Sequence, residues 1–215
     1  MEQMDLRLEA ERLTDLVDRL VLTASPVGIS RVAYRSGPGP VATPPAGGWV
    51  GKLLDQALRK IAEYLAGERT YFTVPVDLSK VPAFDRAALD VAAQIPFGEV
   101  RSYKWIAEKL GKPDAARAVG GAMAGNPVPL IVPCHRVVKT DGGLGGYSFG
   151  LVHKEALLNL ERSTTPLVGC ASTKIFCRRG CAQEHRIREG GRIHFVSPAA
   201  AAESGCRPCR ICRPA

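Results

Sequence analysis

No apolar run of about 18 residues occurs in this chain, so the sequence predicts no transmembrane helix. The first ten residues carry acidic side chains and no apolar core of their own, so we expect no secretory signal peptide. Hydrophobic residues make up 46% and charged residues 23% of 215, which is ordinary for a soluble globular protein. The expected location is therefore the cytoplasm, at the nucleoid if the organism is bacterial.

Acidic residues are scarce near the C-terminus. Residues 166–215 contain nine basic and three acidic residues, which gives +6 of the chain's net charge of +8. With a pI of about 9.3, this excess favours a polyanionic partner such as nucleic acid. A solvated basic tail that binds nothing specific is the alternative.

Cysteine is absent from the first 133 residues, and six of the seven cysteines lie between residues 170 and 212. An odd, clustered set in an intracellular protein favours metal binding over disulfides. Four thiolates in two close pairs are typical of a structural zinc site. The pairs are Cys177-x3-Cys181 and, 27 residues later, Cys209-x2-Cys212. We assign no role to the other two members of the cluster, Cys170 and Cys206.

Cys134 stands apart from this cluster and is followed directly by His135, after the apolar run Val128–Val132. A free thiol has a pKa of about 8.5 and is mostly un-ionised at neutral pH, so it needs an activating group to act as a nucleophile. An adjacent imidazole can supply that activation. A buried, inert packing cysteine is the alternative.

The N-terminal part predicts alternating helices and strands. Apolar spacing indicates helices over Leu6–Val21 and Val50–Ala66, separated by a Gly- and Pro-rich loop over Arg35–Gly48. A turn and an alternating strand are predicted within Ala24–Tyr34, and a short β run over Thr70–Val76. Only one convincing strand precedes the loop.

Three further helices are predicted in the middle of the chain. One covers Ala83–Gln94, a second covers Tyr103–Leu110 with Ser102 as its cap, and a third covers Ala115–Ala124 with Asp114 as its cap. The last two, about a tight turn, form a helix-turn-helix. The second of the pair is unusually rich in alanine and glycine, which permits either close core packing or the close approach of a DNA backbone.

The motifs around Cys134 resemble those of the O6-alkylguanine-DNA alkyltransferases, also called methylated-DNA–protein-cysteine methyltransferases. They are Arg117-Ala-Val-Gly-Gly-Ala-Met, Asn126-Pro-Val-Pro and Pro133-Cys-His-Arg-Val, within a resemblance that runs from about Phe84 to Glu161. The segments Ser172–Cys181 and Ser197–Pro214 resemble the zinc domain of the bacterial Ada protein.

These resemblances imply an α+β fold in three parts. A small α/β N-terminal domain would cover residues 1–82, and a helical catalytic domain with the helix-turn-helix would cover 83–162. After a linker at Thr164–Leu167, a small zinc module with four cysteine ligands would complete 163–215. A module this short seldom holds together on an apolar core alone, and a structural metal is a usual remedy.

The alkyltransferase resemblance implies a role for each of five residues. Cys134 would be the nucleophile and alkyl acceptor. His135 would take the thiol proton through a water molecule, and Glu161 would hold the imidazole in the correct tautomer. Asn126 would brace the turn that carries the cysteine, and Tyr103 would support protonation of the leaving guanine.

The same resemblance implies the DNA contacts. Because a base inside a duplex is out of reach of a thiol, the lesion must be flipped out. Arg117 would fill the vacated stack, although a packing role is its alternative, and Tyr147 and Ser148 would belong to a lid over the base. The implied partner is double-stranded DNA containing O6-alkylguanine, bound by a monomer without membrane contact. The thioether formed is very stable, so each molecule would act once.

The Ada resemblance implies one zinc ion, no organic cofactor, and a second methyl acceptor. In that family the first ligand cysteine, here Cys177, takes a methyl group from DNA methylphosphotriesters; a clip that only binds DNA is the alternative. The order of modules departs from Ada, with the zinc module last and no second helix-turn-helix. A methylation-responsive DNA-binding regulator is thus the second functional hypothesis, and a non-catalytic lesion binder, disfavoured by the presence of Cys134, is the third.

Overall fold

The structure is a computed structural model that describes residues 13–35, 47–164, 167–178, 181–195 and 198–214. Helix α1 covers residues 13–18 and leads into an antiparallel hairpin of β1 (Leu20–Ala24) and β2 (Ile29–Tyr34). The predicted strand in Ala24–Tyr34 is confirmed as β2. The helix predicted over Leu6–Val21 ends earlier, at residue 18. The prediction ran too far because the apolar residues of β1 continue the spacing of the helix. The part before residue 13 lies outside the described residues.

Helix α2 (Gly48–Leu65) confirms the prediction over Val50–Ala66 and packs against both strands of the hairpin. Its buried residues recur at three- and four-residue spacing, which gives one apolar face. They are Leu53, Leu54, Ala57, Ile61, Tyr64 and Leu65.

The β run predicted over Thr70–Val76 is wrong. The segment contributes a single bridge, from Val76 to Ile29, and no strand. Pro75 accepts a hydrogen bond from the Ile29 N–H at 2.9 Å through its carbonyl, but proline has no N–H with which to extend a ladder.

The middle of the chain forms a helical unit around a short parallel pair, β3 (Arg101–Ser102) and β4 (Val137–Val138). The helices α3 (Ala83–Ala93), α4 (Tyr103–Lys109) and α5 (Ala116–Ala124) pack on one another. A one-turn 3₁₀ helix over Cys134–Arg136 follows, and then α6 (Leu151–Thr164). The four helices, the 3₁₀ turn and β4 share one apolar core with the N-terminal part.

Of the two predicted caps in the helix-turn-helix, one is confirmed. The Ser102 hydroxyl accepts the Trp105 N–H at 3.0 Å and caps α4. The cap at Asp114 is wrong, because α5 begins one residue later, with Ala115 as N-cap and no side-chain hydrogen bond. Asp114 is instead exposed in the turn between the helices.

The C-terminal module is a four-stranded sheet in the order β7-β5-β6-β8, with helix α7 (Pro198–Glu203) against it. The strands are β5 (Leu167–Cys170), β6 (Ile175–Arg178), β7 (Arg192–Phe195) and β8 (Arg207–Pro208). The predicted linker is shorter than expected, since α6 continues to Thr164 and β5 begins at Leu167. Among the described residues, no helix is long and apolar enough to cross a membrane.

Candidate nucleophile site and metal centre

Cys134 lies on the 3₁₀ turn, and its side chain is buried. The Asn126 amide donates to the Val132 carbonyl oxygen at 2.9 Å and to the Cys134 sulfur at 3.1 Å. Its carbonyl oxygen accepts the Val128 N–H at 3.0 Å. Asn126 therefore ties together the two ends of the loop that presents the thiol. Within that loop Leu130 has φ +73°, a left-handed conformation that non-glycine residues rarely adopt and that these bonds must sustain.

Glu161 and His135 form a buried pair beside this turn. The imidazole Nε2 is 2.8 Å from Glu161 Oε1, and the Gly98 N–H donates to Oε2 at 2.8 Å. Arg136 Nε lies 3.0 and 3.1 Å from the two carboxylate oxygens. Burial alone would raise the pKa of Glu161, but Arg136 and His135 outweigh it and hold this pKa at about 2. The carboxylate is therefore ionised and fixed in place.

The hydrogen bond to Glu161 sets the tautomer of His135. An ionised carboxylate only accepts hydrogen bonds, so the imidazole Nε2 must carry the proton. The other nitrogen, Nδ1, then has a lone pair, and it has no hydrogen-bond partner among the described residues. Burial lowers the pKa of His135 despite the neighbouring Glu161, which leaves the ring neutral at neutral pH. His135 can therefore accept a proton at Nδ1.

Cys134 rests as a thiol rather than a thiolate. Burial raises the pKa of Cys134 to about 11, although the Asn126 hydrogen bond and the charge of Lys154 act in the opposite direction. A nucleophilic sulfur at neutral pH therefore requires removal of the proton by a base close by. The next residue, His135, carries an unprotonated ring nitrogen without a partner among the described residues and is the candidate for that base.

A cavity of about 440 Å³ lies between α5 and the glycine-rich segment after β4. Tyr103 and Arg117 both line it, and Arg117 is exposed at its surface. Gly145 has φ +70°, and a Cβ there would lie 2.5 Å from the Tyr103 hydroxyl oxygen, so only glycine fits. Burial raises the pKa of Tyr103, which keeps its hydroxyl a hydrogen-bond donor.

The small face of α5 is open. A Cβ added at Gly120 or at Gly121 would meet no atom within 4 Å. Close core packing therefore does not explain these two glycines.

The two residues predicted for the lid lie in different environments. The Tyr147 ring lies edge-to-face with His135 at 6.2 Å, and its hydroxyl is buried with no hydrogen-bond partner among the described residues. Ser148 is exposed and does not line the cavity beside α5. The structure therefore brings Tyr147, but not Ser148, to the buried histidine.

Sequence reasoning missed three buried residues of this site: Tyr64, Arg136 and Lys154. Lys154 Nζ donates to the carbonyl oxygens of Val137 at 2.6 Å and Gly146 at 3.2 Å. Burial lowers the pKa of Lys154 to about 8. Arg136 and Lys154 lie within the resemblance that runs from about Phe84 to Glu161, and Tyr64 begins a segment that resembles the N-terminal alkyltransferase domain, so all three could have been indicated by sequence position, although sequence alone assigned none of them a role.

The C-terminal module brings together the four predicted metal ligands. The sulfur atoms of Cys177, Cys181, Cys209 and Cys212 all lie within 4.8 Å of one another. Zn–S bonds of about 2.3 Å in a tetrahedron require sulfur atoms about 3.8 Å apart, so a small contraction of this cluster would seat zinc. The sheet positions two of the four, since Cys177 lies on β6 and the Cys209 N–H donates to the Phe176 carbonyl oxygen of the same strand at 2.8 Å. The donor set therefore fits zinc.

A second cavity, of about 460 Å³, opens beside two of these ligands, Cys177 and Cys209. Three arginines are among the residues that line it, namely Arg186, Arg207 and Arg210. The cavity therefore combines a metal-binding sulfur with positive charge, which suits a phosphate ester.

The two cysteines to which we assigned no role lie outside the four-sulfur cluster. Cys170 lines the same cavity as Cys177, and its contacts with Ser172 and Thr173 lower its pKa to about 7. Cys206 is buried in the small apolar core of the module.

Comparisons with known proteins agree on the family. A family model described as "6-O-methylguanine DNA methyltransferase, DNA binding domain" matches residues 83–163, and one described as "Metal binding domain of Ada" matches residues 162–215. A methylated-DNA–protein-cysteine methyltransferase of Mycolicibacterium paratuberculosis is 40% identical over 154 residues, which cover 66% of this chain and 91% of the relative. One of Mycobacterium bovis is 46% identical over 110 residues, which cover 51% of this chain and 66% of the relative.

Solved structures agree as well. The crystal structure of Mycobacterium tuberculosis OGT in complex with DNA matches with a TM-score of 0.59 at 38% identity. The match covers 67% of this chain and 87% of the chain in that structure. The crystal structure of the O6-methylguanine methyltransferase of the same organism matches with a TM-score of 0.55 at 35% identity. That match covers 69% of this chain and 94% of the chain in that structure. With its buried thiol, histidine and glutamate and its C-terminal Ada-type metal-binding module, the chain belongs to the methylated-DNA–protein-cysteine methyltransferases.

Proposed function

We propose that this chain repairs O6-alkylguanine in double-stranded DNA by transferring the alkyl group from guanine O6 to the sulfur of Cys134. One observation carries the assignment of residues: a buried Glu161–His135 pair leaves Nδ1 without a partner beside a buried thiol that lies apart from the metal-binding cysteines. A group of this kind can remove the thiol proton at neutral pH.

Protons and electron pairs balance in this transfer. The thiol proton passes through a water molecule to His135 Nδ1, and the sulfur attacks the alkyl carbon. The carbon–O6 bond breaks with its electron pair on the guanine, which takes one proton from water as it leaves, and the imidazolium afterwards returns the thiol proton to water. The Tyr103 hydroxyl supports that protonation, and the Glu161 carboxylate compensates the positive charge of the imidazolium.

Access to the alkyl carbon requires that the base leave the stack. The exposed guanidinium of Arg117, at the edge of the cavity that Tyr103 also lines, is the group that would fill the gap in the duplex. The open glycine face of α5 supports a close approach of the minor groove. Tyr147 and Ser148 would complete the lid over the flipped base.

The product is a thioether on Cys134, which no group of the site can reverse. The chain would therefore act once per molecule. We also propose that it acts as a monomer.

In the C-terminal module we infer one zinc ion held by the two cysteine pairs. Zinc keeps its sulfur ligands deprotonated and so nucleophilic. Cys177 is the candidate acceptor of a methyl group from a phosphotriester, because its cavity is lined by three arginines that can hold the phosphate oxygens.

The assignment of Cys134 is tested with Cys134→Ala and a duplex containing O6-methylguanine. We expect transfer to be abolished while binding to the lesion duplex is retained, since the thiol acts in chemistry and the cavity acts in recognition. Full repair by this variant would eliminate Cys134 as the nucleophile.

A further inference from the structure

Tyr64 lies near the end of α2, at the start of Tyr64-Leu-Ala-Gly-Glu-Arg, a segment that resembles the N-terminal domain of the alkyltransferases. Its ring is fully buried and packs against Phe72 and Phe97, with ring centroids 5.2 and 5.9 Å apart. This packing directs its hydroxyl into the catalytic domain, between His135 and Glu161.

The hydroxyl contacts both members of the buried pair. It donates to Glu161 Oε1 at 2.5 Å, and its oxygen lies 3.2 Å from His135 Nε2. Burial and the charge of Glu161 raise the pKa of Tyr64 well above its usual value, so the hydroxyl keeps its proton.

Counting protons gives one arrangement for the three groups. The carboxylate has no proton, and the hydroxyl has one, which it donates to Oε1. The contact between the hydroxyl oxygen and Nε2 is therefore a hydrogen bond only if Nε2 carries a proton. The Glu161 carboxylate and the Tyr64 hydroxyl oxygen then both accept from Nε2–H of His135, and Nδ1 is left as the basic nitrogen of the imidazole.

We propose that Tyr64 is a positioning residue for alkyl transfer, whose hydroxyl holds Glu161 and His135 in the arrangement that leaves Nδ1 free to take the Cys134 proton. The inference rests on the proposed function. Through Tyr64, helix α2 of the N-terminal part would help to position the Glu161, His135 and Cys134 side chains.

The other charged and titratable groups around His135 cannot replace this hydroxyl. Arg136 and Lys154 have no acceptor atom to offer to Nε2–H. The hydroxyl of Tyr147 has no hydrogen-bond partner among the described residues. A hydrogen bond donated by Tyr64 also favours the ionised form of Glu161. When the imidazole takes the Cys134 proton and becomes positive, its Nε2 proton therefore stays on the ring and does not move to the carboxylate.

The test compares Tyr64→Phe with wild type in single-turnover reactions with O6-benzylguanine. Phenylalanine preserves the packed ring and removes only the hydroxyl. We expect the saturating rate of Cys134 alkylation to fall on the order of ten-fold, as for loss of a hydrogen bond to a charged group, with an unchanged half-saturating concentration. The deficit should narrow at alkaline pH, where the thiolate forms without help from His135.

Tyr34→Phe is the matched control. It removes a hydroxyl that donates to Asp15 at 2.8 Å, another tyrosine–carboxylate bond of the N-terminal part, with no bond to His135. No deficit in Tyr64→Phe, a deficit that is independent of pH, or an equal deficit in Tyr34→Phe would each overturn the inference.

If wild type takes no alkyl group from O6-benzylguanine or from a duplex that contains O6-methylguanine, the proposed function fails, and labelling of Cys134 by iodoacetamide then decides the inference. Labelling of the Cys134 peptide, followed by mass spectrometry, should be slower in Tyr64→Phe than in wild type at neutral pH. Equal labelling rates would overturn it.

Discussion

Glu161→Gln should destabilise the catalytic domain strongly, because this carboxylate accepts hydrogen bonds from four partners at once. The donors are the Gly98 N–H, the Tyr64 hydroxyl, His135 and Arg136. Glutamine has almost the same shape, but it has one acceptor oxygen in place of two and no charge. The buried Arg136 guanidinium would therefore lose its counter-ion, and the amide NH₂ group would face donors.

The magnitude follows from the burial of the pair. Removing one partner of a buried ion pair costs about 3–5 kcal/mol. At roughly 2–4 °C per kcal/mol for a domain of about 150 residues, the melting temperature should fall by about 6–20 °C. Asp15→Asn is the control, since Asp15 and its partner Arg19 are partly exposed and such pairs contribute about 1 kcal/mol or less.

At acid pH the melting temperatures of wild type and Glu161→Gln should become equal. The folded-state pKa of Glu161 is about 2, below its ordinary value of 4.5. Its contribution to stability is therefore complete above about pH 4.5 and is lost as the pH falls toward 2. The assay is thermal unfolding by circular dichroism across this range. The reasoning would be refuted if Glu161→Gln lowered the melting temperature no more than Asp15→Asn does. It would also be refuted if the difference in melting temperature between Glu161→Gln and wild type stayed the same at acid pH.

Three further predictions concern separate parts of the chain. Arg117→Ala should slow repair of duplex DNA far more than reaction with free O6-benzylguanine, measured as the ratio of the two rates; equal losses would indicate a packing role. Lys154→Met should lower the melting temperature and slow alkyl transfer, because two backbone carbonyl oxygens lose their donor at about 1–3 kcal/mol each, and wild-type values in both assays would contradict its role. Cys212→Ser should lower zinc content in metal analysis without changing the rate of transfer to Cys134; full retention of zinc would place the metal elsewhere.

Local motifs made the helix-turn-helix and much of the candidate site predictable from sequence. Asn126, Cys134 and His135 lie within ten residues of one another, and Asn126 bonds directly to the cysteine sulfur. The cluster of four cysteines was predictable for a similar reason, because each close pair lies within a short stretch of chain.

Features that depend on tertiary packing were not predictable. Tyr64 meets Glu161 across 97 residues of sequence, and only the packing of α2 against the catalytic domain brings them together. Strand β1 was missed because Leu20–Ala24 continues the apolar spacing of the helix before it. The run Thr70–Val76 has strand-like composition, but Pro75 and a single bridge partner leave it without a ladder.

The most direct test is the intact mass of the chain after incubation with a duplex that contains one O6-methylguanine and no phosphotriester, followed by peptide mapping. The proposed mechanism predicts a gain of one methylene group per molecule, located on the peptide that contains Cys134, with no gain in Cys134→Ala. No gain in wild type, or a methyl group located on a cysteine of the zinc module, would contradict it.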